Sequence, residues 1–205
     1  MTGRVMAQRF LLAIAVFLAA LVVGLALFWH PELPEPALPR AVAPAGGDFT
    51  LTSADGPVNL QALRGKVVLV YFGYTYCPDV CPTALAATAA GLALLRPEEL
   101  AGVAAIFVSV DPERDTPERL KEYATFFHPA ITGVTGTPEA LAEVTRHYGV
   151  FYARQPAVTA GGGYVVDHTS DTYVVARDGR LDGRIPHAAS PDDVAAAIRK
   201  RLNQP

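Results

Sequence analysis

Six consecutive residues, Val67-Val-Leu-Val-Tyr-Phe72, are apolar at every position. A strand with one wet face alternates apolar and polar side chains, so an unbroken run suits a strand covered on both faces, as in a parallel sheet of an α/β domain. The segment that follows is equally restrictive. Gly73-Tyr-Thr-Tyr-Cys77-Pro-Asp-Val-Cys81-Pro82 holds both cysteines of the 205-residue chain, four positions apart. In open α/β sheets, sites form beyond the C-terminal ends of strands, where loops and helix N-termini converge. The cysteine pair occupies that place.

The N-terminus reads as a separate unit. Phe10 to Trp29 is an unbroken run of apolar residues and Gly, and as a helix rising about 1.5 Å per residue it would extend roughly 30 Å, the thickness of a bilayer's hydrocarbon core. A cleaved signal peptide would have a shorter apolar stretch before a small-x-small site, and Ala41-Val-Ala43 lies far beyond the run with Pro44 behind it. The expectation is an uncleaved transmembrane helix. Arg4 and Arg9 precede it, and Glu32 and Glu35 are the first charges after it, which places the N-terminus in the cytoplasm and the rest on the outer, periplasmic side of the inner (plasma) membrane. The expected organisation is a cytoplasmic N-terminus (1–9), an anchor (10–29), a Pro-rich tether (30–47) carrying Pro31, Pro34, Pro36, Pro39 and Pro44, and a domain over 48–205. Outside the anchor arginines the chain has 15 basic and 20 acidic residues (17 − 2 against 20), a net −5, which argues against a nucleic-acid partner.

Within the domain, Asp48–Thr52 and Val58–Leu60 flank the turn signal Asp55-Gly56, predicting a β-hairpin ahead of the apolar strand. Pro82 to Leu95 is Ala- and Leu-rich and reads as a helix, with Pro82 in its first turn and Cys81 near the N-cap. Ala104–Val110 reads as a second buried strand. Thr116-Pro-Glu118, Thr137-Pro-Glu139 and Ser190-Pro-Asp192 are three helix starts of one type, hydroxyl cap then proline. Leu120/Tyr123/Phe127, Leu141/Val144/Tyr148 and Val194/Ile198/Leu202 supply the buried faces. Thr172–Val175 and Leu181–Ile185, joined through Asp178-Gly179, read as a further hairpin. The predicted order is strand, helix, strand, helix, helix, hairpin, helix, an α/β sheet with an antiparallel portion.

Two thiols near a helix N-terminus are favoured as thiolates by the helix dipole and its free N–H groups. They could close a disulfide, exchange disulfides or grip a soft metal, Cu(I) or zinc. A structural disulfide closing so small a loop constrains the unfolded chain little. A metal would need another donor, and the two methionines, Met1 and Met6, precede the anchor. Of the five histidines, His30, His128, His147 and His187 have local structural readings. His168, in Asp167-His-Thr-Ser-Asp171, follows the Gly161-Gly-Gly163 loop and precedes a predicted strand, from which it could reach the cysteine loop or serve a purely structural purpose. Asp167 could orient its ring. Asp111 and Asp115 read as turn and helix-start residues, and Asp79 lies between the cysteines.

Phe72-Gly-Tyr-Thr-Tyr-Cys77-Pro-Asp-Val-Cys81-Pro82, Val108-Ser-Val-Asp111-Pro-Glu-Arg-Asp115-Thr-Pro117 and Val166-Asp-His168-Thr-Ser together resemble the Sco/SenC family of copper-binding cytochrome c oxidase assembly proteins, over roughly Asp48 to Leu202. The resemblance implies a thioredoxin-like (glutaredoxin-type) fold and one copper, as Cu(I) or Cu(II), held by Cys77, Cys81 and His168. It implies a chaperone for the copper A centre, with oxidase subunit II, a periplasmic copper donor and a thioredoxin-like reductant as partners. The enzymatic alternative is a thiol–disulfide oxidoreductase in which Cys77 and Cys81 are the catalytic, redox-active pair and keep the subunit II cysteines reduced. The Cys-x-x-x-Cys spacing departs from the usual Trp-Cys-x-x-Cys of such enzymes. A thiol peroxidase fits less well, since no Thr-x-x-Cys context is present.

Overall fold

The structure is a computed structural model and describes residues 2–28, 44–156 and 163–204. It comprises two units, Met1–Val42 and Ala43–Pro205. In the first, α1 (Thr2–Phe28) is one continuous helix, favoured by its many Ala and Leu residues and its lack of proline. Its described large apolar side chains, between Leu11 and Val23, are exposed. No helix among the described residues is long and apolar enough to cross a membrane. Trp29, His30, the tether from Pro31 to Pro39 and the glycine-rich stretch from Ala160 to Gly162 lie outside the described residues.

The second unit begins with backbone already bonded into it. Gly46 N–H donates to His147 O at 3.0 Å, and Tyr148 Oη–H donates to Gly47 O at 3.1 Å. The expected hairpin follows as β1 (Thr50–Ser53) and β2 (Gly56–Asn59), antiparallel. Gly56 takes a φ of +114° in its turn, a conformation that glycine adopts without the clash a Cβ would bring.

β3 (Val67–Gly73) is buried at every residue, as its continuous apolar run demands. β4 (Val103–Ser109) lies parallel beside it and β5 (Ile131–Val134) parallel beside β4. β6 (Tyr152–Pro156) and β7 (Tyr164–His168) form a separate antiparallel pair. β8 (Thr172–Val175) pairs antiparallel with the other edge of β3, and β9 (Leu181–Ile185) with β8, so the five-stranded sheet runs β5-β4-β3-β8-β9. β3 is therefore parallel to one neighbour and antiparallel to the other.

Helices cover both faces. α2 (Val80–Ala93) follows β3, and α3 (Pro97–Ala101) precedes β4. α4 (Pro117–Phe127), α5 (Pro138–Tyr148) and α6 (Pro191–Leu202) start as expected, with Thr116, Thr137 and Ser190 accepting the N–H groups of Arg119, Ala140 and Asp193. On one sheet face Tyr71 stacks with Phe107, which meets Tyr123 of α4. On the other, Phe72 packs against Tyr173 and Tyr148 of α5. α2 and α6 approach so closely at Gly91 that a Cβ there would lie 2.6 Å from Val194 Cβ.

Four elements depart from the sequence expectation. α3 is a five-residue helix, too short to show periodicity. β5 separates two helices expected in succession, and Gly133 within it is required because a Cβ would fall 2.5 Å from Leu120 O. β6 and β7 add a hairpin where a loop was expected, so His168 ends a strand rather than lying in a loop that leads into one.

Candidate metal centre

Gly73, at the end of β3, makes room for the site. A Cβ there would lie 2.7 Å from Cys81 Sγ and 3.0 Å from Phe107 Cε2. The chain then turns through 74–79, where Cys77 N–H donates to Tyr74 O at 3.4 Å. Asp79 occupies the N-cap of α2 without a side-chain capping bond. The cysteine sulfur takes up part of that role, since the first-turn N–H of Cys81 donates to Cys77 Sγ at 3.3 Å, one of the donors that a helix start leaves free.

The two thiols occupy different environments. Cys81 is fully buried, whereas Cys77 is partly exposed, and both are free. The Cys81 side chain as hydrogen-bond partner, aided by the Cys81 N–H, pulls the Cys77 thiol far below its ordinary value. The same partnership, together with burial, pushes the Cys81 thiol up. One proton shared between adjacent sulfurs accounts for the split.

The hairpin brings in the third group. His168 sits opposite Tyr152 in the β6–β7 register, its Nε2 3.2 Å from Cys81 Sγ and its Nδ1 3.0 Å from Thr169 O. A carbonyl only accepts, so Nδ1 carries the proton and the Nε2 lone pair faces the sulfurs. The ring is wedged edge-on between Tyr71 and Tyr74, at 6.1 and 6.0 Å. Asp167 is exposed and makes no bond to it; the orientation comes from the Thr169 carbonyl, a correction to the expected carboxylate partner. Cys77, Cys81 and His168 offer ligand atoms that all lie within 4.8 Å of one another, and they are the one such group among the described residues. His128 instead accepts from Ala130 N–H, and neither His147 nor His187 joins the cluster.

The donor set suits a soft metal ion: two sulfurs and an imidazole nitrogen directed towards them. The surroundings suit it as well. The buried hydroxyls of Tyr71 and Tyr123 have no hydrogen-bond partner, and burial, followed by the charge of Cys81, pushes both phenols up. Both therefore stay neutral beside the cysteine pair.

Asp111 and Asp115 lie in the turn and helix start expected, with Arg114 N–H and Asp115 N–H donating to Asp111 O, but both carboxylates are also completely buried. Asp115 accepts from Thr75 N–H at 2.8 Å, Thr75 Oγ1–H at 2.5 Å and Ser109 Oγ–H at 2.6 Å, which fixes the cysteine loop to the end of β4. Asp111 accepts from Arg114 and from Tyr164 Oη–H at 2.6 Å. Arg114, which residue-type reasoning overlooked, lies over the rings of Tyr164, Tyr76 and Tyr74 at 3.7, 4.8 and 5.5 Å. Its only sequence signal is its place between two aspartates.

Comparison with known proteins agrees with this geometry. Residues 38–203 match the SCO1/SenC family. The SCO2-like protein RC0895 of Rickettsia conorii is 36% identical over 155 residues, 75% of each chain. The structure of Bradyrhizobium japonicum ScoI with copper bound superposes with a TM-score of 0.70 at 39% identity, covering 77% of this chain and 99% of that one. The solution structure of apo Sco1 from Thermus thermophilus gives 0.68 at 43%, covering 77% and 91%. The chain thus shares the thioredoxin-like fold of these structures and belongs to the SCO1/SenC family.

Proposed function

We propose that this chain is a copper chaperone that holds one copper ion, its cargo, through Cys77, Cys81 and His168, and serves the assembly of cytochrome c oxidase. The observation that carries this reading is the convergence of two sulfurs and an imidazole nitrogen within 4.8 Å. Copper supplies a strong preference for such sulfur-rich donors. Cys81 holds the ion from inside the fold, while the partly exposed Cys77 leaves it reachable by a partner's ligands. The expected recipient is the copper A centre of oxidase subunit II, with a periplasmic donor upstream. The apolar run from Phe10 to Trp29, preceded by Arg4 and Arg9, supports a single-pass anchor that holds the domain at the outer membrane face, beside a membrane-bound recipient. Titration of the reduced protein with Cu(I) tests the assignment: one equivalent binds, and Cys77→Ser or Cys81→Ser abolishes tight binding. Unaltered binding in either variant would refute it.

The asymmetry of the thiols supports a second reading. Cys77, partly exposed and favoured as thiolate, is suited to attack a partner disulfide and release one partner sulfur. Cys81 would then displace the second partner sulfur, leaving a Cys77–Cys81 disulfide and a reduced partner. Two electrons pass to the partner, so a thioredoxin-like reductant must restore this chain. Oxidase assembly that excess copper rescues in a Cys77→Ser/Cys81→Ser strain favours delivery over reduction.

A further inference from the structure

Three segments far apart in sequence meet at Arg114. It lies in the turn between β4 and α4, and Asp111 of the same turn pairs with its guanidinium. Arg114 Nη1–H donates to Tyr164 O at 2.9 Å, and the guanidinium covers the Tyr164 ring at 3.7 Å. Tyr164 begins β7, the strand that His168 ends. The guanidinium also lies over Tyr76, the residue before Cys77, at 4.8 Å. Tyr164 Oη–H returns to Asp111 at 2.6 Å, and Arg154 of β6 reaches Glu113 at 2.8 Å. The hairpin is a two-stranded sheet outside the main one, and such a pair has little stability of its own. Its position over the cysteines therefore depends on side-chain contacts.

We propose that Arg114 is a positioning residue that fastens the β6–β7 hairpin to the cysteine loop and so sets His168 against Cys81. Its importance for copper rests on the chaperone reading above; its effect on the hairpin does not. The guanidinium is suited to the task because it pairs with Asp111 while lying over tyrosine rings, a combination of planar hydrogen bonding and stacking that a lysine ammonium cannot reproduce. Nη2 of Arg114 is buried without a hydrogen-bond partner, so the aromatic rings form much of its enclosure.

The test compares the parent, Arg114→Met, His168→Ala and the double variant as reduced full-length proteins. Cu(I) affinity is measured by chelator competition, and backbone hydrogen exchange is measured on the same metal-free proteins. Arg114→Met is expected to weaken Cu(I) about tenfold or more, and the double variant to bind no more weakly than His168→Ala alone, because both changes remove one contribution. Exchange across β6 and β7 should quicken at least about tenfold while β3 and β4 keep their protection. Parent-like affinity in Arg114→Met, or losses that multiply in the double variant, would overturn the proposal while leaving the chaperone reading intact. If the parent bound no copper, that reading would fail, and exchange alone would decide: unchanged protection in β6–β7 overturns the positioning role, and selective loss there supports it. Loss of protection throughout the domain would mean a general structural role and also overturn it.

Discussion

Cys81 Sγ and His168 Nε2 lie 3.2 Å apart although 87 residues separate them. The sulfur is fixed by the first turn of α2 and the nitrogen by a hairpin outside the main sheet. Neither element alone makes a site. His168→Ala should leave both thiols in place and weaken Cu(I) by about tenfold or more, measured by competition with a chelator of known affinity. Parent-like affinity would remove histidine from the donor set.

Gly73 tests how closely the sulfur is seated. With Phe107 Cε2 and Cys81 Sγ 3.0 and 2.7 Å from the position of an added Cβ, Gly73→Ala should destabilise the domain by about 1–3 kcal/mol. Urea unfolding reads this directly, and copper affinity should fall with it because the displaced atom is one of the proposed ligands. An unchanged midpoint would show that the loop relaxes freely.

Asp115 ties the cysteine loop to β4. Asp115→Ala leaves the Thr75 N–H and two hydroxyls without their acceptor, and should cost about 3 kcal/mol or more. Chemical denaturation of the reduced, metal-free protein would register this. A loss below about 0.5 kcal/mol would show that water replaces the carboxylate.

The unequal thiols predict an order of reaction. A depressed Cys77 and an elevated Cys81 mean that lowering the pH from 8 to 6 leaves Cys77 as thiolate and Cys81 protonated. Iodoacetamide should therefore label Cys77 first, at a rate nearly independent of pH over that range, as peptide mass mapping can follow. A Cys77 rate that falls about tenfold per pH unit, as for a free thiol with a pKa of about 8.5, would contradict the assignment.

The parts of this architecture that depend on local sequence were legible in it. The unbroken Val67–Phe72 run announced a strand covered on both faces, and Thr116-Pro117, Thr137-Pro138 and Ser190-Pro191 announced helix starts, because capping and burial periodicity act within a few residues. The cysteine and histidine motifs pointed to the site through their resemblance to a known family. What stayed hidden depends on tertiary contacts. Tyr152–Pro156 has an exposed or half-buried pattern without the alternation that marks a strand, and Asp111 and Asp115 resemble ordinary turn residues until the fold buries them. Arg114 gains its role only when Tyr76, Tyr164 and Asp111 converge on it.

X-ray absorption at the copper edge of the reduced, Cu(I)-loaded protein tests the central claim most directly. The account predicts two sulfur donors and one imidazole nitrogen, with the nitrogen lost in His168→Ala and a sulfur lost in Cys77→Ser. A sulfur-only site in the parent, or a spectrum unchanged by His168→Ala, would contradict it.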